Sequence, residues 1–153
     1  MSFISIPAIR TIDPGDPWTE KRAFRATDPF GVAVDIQVDS SVVDDGLLFD
    51  VIAQLKNPLA DPFAPGTWFW INEDDDRLYR NITVDSHWND LAFEWGTHFA
   101  VWFWWGRFDA ITSYMWTPYA IKNSGIFYAH ATVSVQGSNL FDSSPELPFK
   151  VRV

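Results

Sequence analysis

The chain has 153 residues and a mass of 17.5 kDa, enough to enclose one hydrophobic core. Aromatic residues make up 17% of it, nine Trp and thirteen Phe among them, which excludes a disordered polypeptide. Twenty acidic against eleven basic residues give a net charge of −9, a field that repels nucleic-acid phosphates and anionic lipid. With no Cys, disulfides, thiolate nucleophiles and Cys-held metals are excluded.

The first 29 residues are the least regular part, broken by Pro7, Pro14 and Pro17, and read as an N-terminal arm or an edge strand. The longest apolar run, Phe99 to Trp105, has seven residues, against roughly 20 needed to span a bilayer. No signal-peptide apolar region is evident, so the expected location is cytoplasmic, without membrane contact.

Alternation begins at Gly31 to Val38, where Val32, Val34, Ile36 and Val38 share one face of a half-buried strand. Past the turn residues Asp44-Asp45-Gly46, a second strand over Leu47 to Lys56 places Phe49, Val51, Ala53 and Leu55 together, with Ile52 against the pattern. Pro58, Pro62, Pro65 and Gly66 mark a crossing connection. Thr67 to Ile71 and Leu78 to Val84 read as strands flanking the acidic tip Glu73 to Asp76. Ser86 to Gly96 fits both helical and alternating spacing, and is taken as a helical turn leading into extended chain. Phe99 to Trp105 reads as a strand, followed by a tight turn at Gly106-Arg107 and a return strand over Phe108 to Trp116. The turn Asn123-Ser124-Gly125 precedes a strand from Ile126 to Gln136 with Phe127, Ala129, Ala131, Val133 and Val135 on one face. A closing strand has Phe149, Val151 and Val153 inward and Lys150 and Arg152 outward.

Many short strands with Gly and Pro punctuation predict an all-β fold over 1–153 as a single domain: an antiparallel β-sandwich, or alternatively a small β-barrel. The stretch from Thr117 to Val133 resembles the penultimate hairpin of immunoglobulin-like and fibronectin-like domains. There, a turn glycine (Gly125) precedes an aromatic residue (Phe127) and an alternating strand. That resemblance covers residues 117 to 153, lacks the paired cysteines of antibody domains, and implies an immunoglobulin-like sandwich without fixing a function.

Eight of the nine Trp fall between Trp68 and Trp116, and the pairs Trp68/Trp70 and Trp102/Trp104 repeat one spacing. On a strand each pair projects to one side, whereas Phe99, Val101 and Phe103 project to the other, so both sides of this part are apolar. A second apolar side needs a cover, and three covers are open: the N-terminal and proline-rich segments, a partner subunit, or a flat ligand such as a sugar ring or an apolar small molecule. Trp68, Trp70, Trp102, Trp104, Tyr114 and Trp116, with His98 on the parity of Trp102, are the candidate binding residues.

His87, His98 and His130 share no metal-ligand spacing, so no metal or other cofactor is expected, and His130 is read as solvent-facing. Glu94, Asp90 and Asp109 lie near the aromatic segment without a spacing that fixes a catalytic pair. The acidic run departs from calcium-loop spacing, and Asn81-Ile82-Thr83 matches a glycosylation acceptor only formally. Lys21, Arg22 and Arg25 form a basic cluster read as a solvated edge or a contact for a neighbouring acidic subunit. The leading expectation is a non-catalytic binding or assembly module, a homo-oligomer or protein partner meeting its Trp-rich surface. The alternative is a small barrel or sandwich enzyme, or a carbohydrate-binding protein, with an aromatic pocket beside His98, Glu94 or Asp109.

Overall fold

A computed structural model describes residues 3–39, 41, 46–56, 77–82, 92–95, 98–107 and 126–152. Its strands run in chain order β1 (Ile4–Asp13), β2 (Asp16–Glu20), β3 (Ala23–Arg25), β4 (Pro29–Val38), β5 (Phe49–Lys56) and β6 (Arg77–Ile82). They continue with β7 (Ala92–Trp95), β8 (His98–Arg107), β9 (Ile126–Val135), β10 (Phe141–Ser143) and β11 (Leu147–Arg152). One sheet has the order β2-β1-β4-β8-β7; the other has the order β3-β11-β9-β5-β6, with β10 also on β9. The described strands pack as two sheets in an all-β sandwich, and they do not close into a barrel.

Alternation explains this layering. Val32, Val34, Ile36 and Val38 of β4 turn inward and are buried, as are Val101 and Phe103 of β8. Facing them are Phe49, Val51, Ala53 and Leu55 of β5 and the inward set of β9 from Phe127 to Val135. Ile52 is half-buried on the opposite side of β5. Each large side chain taken from water contributes about 1.5–3 kcal/mol. At one end four rings interlock, with Phe30 and Phe127 5.7 and 5.9 Å from Phe149 and Phe24 5.7 Å from Phe30.

Residues 4–13, irregular by sequence, form β1, hydrogen-bonded on one side to β2 and on the other to β4; β2 is the edge. Alternation is obscured because β1 carries one extra residue between Ser5 and Ala8, at Pro7, which has no amide to give. The turn expected at Gly106-Arg107 is corrected: both residues continue β8, opposite Phe30 and Pro29. The glycine accompanies a bulge, since Gly31 pairs with Trp104 and Phe30 with Gly106, leaving Trp105 as the extra residue. Of the ambiguous segment, Ala92–Trp95 is extended as β7, and residues 83–91 lie outside the described part, as do the expected strands at 67–71 and 108–116. The turn at 123–125 and the acidic tip at 73–76 also lie outside it.

Candidate aromatic contact site

The outward side of the first sheet is built from β2, β1, β4 and β8. Register places Arg10 beside Ala33 and Ala33 beside Trp102, with Gly31 beside Trp104 one step along. Gly31 has no side chain, and the Trp104 ring takes the space. A β-carbon there would overlap Cε3 of that indole and stand 2.5 Å from the Phe103 carbonyl oxygen. Ala33, though on the outer side, is fully buried. Small residues on β4 thus let two indoles lie down across the strand, half-buried, instead of standing into water.

Trp18 completes the group from β2. Its ring meets Trp102 edge to face at 5.2 Å and 83°, and Trp102 is 6.4 Å from Trp104. Each aromatic pair adds about 0.5–1.5 kcal/mol beyond area burial. Arg10 fastens the edge strand. Its guanidinium donates to the Trp18 carbonyl oxygen at 3.1 Å and to the Asp35 carboxylate at 3.0 Å, linking β2 to β4 across β1. Below it Thr11, fully buried, donates to the Lys21 carbonyl oxygen at 2.5 Å, and the Lys21 amide donates back to the Thr11 carbonyl at 2.8 Å. Trp18 itself is 45% exposed, so the patch presents an open indole beside a half-buried pair.

Of the residues expected to form the site, Trp102 and Trp104 come together here, on the side opposite Val101 and Phe103. Trp68, Trp70, Tyr114 and Trp116 lie outside the described residues; His98 is described in backbone only, paired with Gln37 and Trp95. Trp18, Arg10, Asp35 and Gly31 were not anticipated. Trp18 is the one Trp remote from the central cluster, and the pairing that carries it there is invisible in local sequence. The partial cover by Trp18 means that the N-terminal segment does shelter Trp102.

Other candidates fall elsewhere. His130 points to the outer side of β9, across from Gln54, and is half-buried instead of solvent-facing. Glu94 pairs through its backbone with Phe99; His87, Asp90 and Asp109 lie outside the described residues. No group of three or more metal-ligating side chains occurs among the described residues. Part of the basic cluster is neutralised within the chain: Lys21 reaches Asp28 at 3.4 Å and Asp13 at 3.6 Å, and Arg22 reaches Glu20 at 2.7 Å. Asp28 also accepts the Arg25 amide at 2.8 Å; this hydrogen bond, opposed by partial desolvation and aided by Lys21, holds its carboxyl below the usual aspartate range.

Among solved structures, the chain is similar to AggA, the major subunit of aggregative adherence fimbriae type I from Escherichia coli. The two share 10% identity over 98% of this chain and 95% of that one, with a TM-score of 0.37. No protein-family model and no curated protein sequence matches the chain.

Proposed function

We propose that the protein is a non-catalytic assembly module of immunoglobulin-like architecture that meets further copies of itself through the indole patch of Trp18, Trp102 and Trp104. The observation that carries this reading is the open Trp18 ring set against a half-buried Trp pair, with an arginine fixed at its margin. Trp and Arg are the side chains most enriched where binding energy concentrates, and a centre already partly desolvated loses little on further burial. The patch is also held in place before contact, by the Arg10 bonds and the Gly31 seat, so little ordering opposes association.

Size-exclusion chromatography with light scattering, on the wild type, Trp18→Ser and Trp102→Ser/Trp104→Ser, tests it. The expected result is an oligomeric wild type and folded variants shifted to smaller species. Folded monomers throughout would contradict the assembly reading.

A further inference from the structure

The second sheet carries an outer surface of opposite character. On β3 and β11, parallel neighbours, Arg25 pairs in register with Arg152 and Ala23 with Lys150, while Ile126 of β9 lies beside Lys150. Arg25, Lys150 and Arg152 are all exposed, and Ile126 is 41% exposed. A shallow groove of about 660 Å³ runs among them, with Phe24 and Val151 also in its lining. Neighbouring strands stand about 4.8 Å apart, so two guanidinium stems rise side by side with an ammonium two residues away, an arrangement that costs free energy unless an anion lies between.

Among the described residues the compensation from within is only partial. Arg10, Lys21 and Arg22 each hold an acid, but no described carboxylate forms an ion pair with Arg25, Lys150 or Arg152. Asp28, the one acid lining the groove among the described residues, is engaged by Lys21 and by the Arg25 amide, and its charge acts on the Arg25 guanidinium as well. Among the described residues, Lys150 and Arg152 have no acid in an ion pair, and Arg25 has only the charge of Asp28, which it shares with Lys21.

We infer that the Arg25–Lys150–Arg152 strip is a docking surface for carboxylates of a second copy of this chain, and that the contact is head to tail. Charge complementarity selects the occupant, because the rest of the polypeptide is strongly acidic; Asp16 on β2, for example, is exposed and engaged in no described ion pair. Like charge keeps two strips from facing one another, so the strip of one copy meets an acidic surface of the next; repeated from copy to copy, that heterologous contact grows as a chain or ring instead of closing as a two-fold dimer. This rests on the reading of the protein as a self-assembling module but not on the indole patch.

Sedimentation velocity on the full chain, across protein and salt concentrations, tests it. Wild type is expected to grow beyond a dimer and to weaken roughly tenfold or more from low to high salt, as screening dictates. The folded variant Arg25→Glu/Lys150→Glu/Arg152→Glu is expected not to grow, and, added in small amounts, to shorten wild-type assemblies, since it offers acids but accepts none. Arg25→Lys/Arg152→Lys is expected to behave as wild type. A monomer at every concentration, a closed dimer, or undiminished growth of the charge-reversed variant overturns the inference. Loss of assembly in Trp18→Ser alone would leave the indole reading standing and remove this one; loss in the charge variant alone would do the reverse.

Discussion

Gly31 shows how a single missing β-carbon shapes the surface. Its neighbour across the bulge is an indole, and the indole lies flat because the glycine leaves room. In Gly31→Ala, the added methyl meets the Trp104 ring and the rigid Phe103 carbonyl, so the ring must lift. The expected cost is about 1–3 kcal/mol in urea unfolding, with a red-shifted Trp emission as the indole moves toward water. Asp28 acts through charge. Its folded carboxyl titrates below the unfolded one, so its contribution is complete above the ordinary aspartate pKa of about 3.9 and is lost as pH falls through the lower folded value. Asp28→Asn is therefore expected to lose stability at neutral pH and to show a smaller loss than wild type on acidification below pH ~4, read from denaturation midpoints. An unchanged acid profile would mean that Asp28 is held no better in the folded chain than in the unfolded one.

Strands were the most legible elements, for a physical reason: when one side is buried, period-two alternation writes the core into the sequence. Val32 to Val38, Phe49 to Leu55 and Phe127 to Val135 carry that pattern and fold as it dictates. What alternation misses is the bulge. Pro7 in β1, Trp105 in β8 and the break at 144–146 each add one residue to a strand, and each shifts the pattern by one. Gly106 looked like a turn because a bulge and a tight turn ask for the same residue. The third case shows what a bulge needs. Ser144 donates its amide to the Ala131 carbonyl at 2.8 Å and accepts the Ala131 amide on Oγ at 2.9 Å, so its hydroxyl replaces a backbone carbonyl where the ladder slips. Ser144 is 6% exposed, and Ser144→Ala leaves that donor buried without an acceptor. The expected loss is about 1–3 kcal/mol, with faster hydrogen exchange at the Ala131 amide. Neither change would appear if water substitutes for the hydroxyl.

At the scale of the molecule, the two outer surfaces differ in kind: indoles over Gly31 and Ala33 on one sheet, exposed cations beside Ile126 on the other. Half of this was readable beforehand. Two-residue spacing put Trp102 and Trp104 on one side, but Trp18 and Arg10 join them only through the β1–β2 and β1–β4 pairings, and long-range register leaves no local mark. The cationic strip was equally hidden, since Arg25 and Arg152 are adjacent only because β3 and β11 pair in parallel across nearly the whole chain. The central claim, that the indole patch is wet on one copy and covered by the next, is tested most directly by hydroxyl-radical footprinting of Trp18 across a dilution series. Oxidation of Trp18 is predicted to fall as concentration rises and to stay high in Trp102→Ser/Trp104→Ser. Equal oxidation of Trp18 at all concentrations would contradict it.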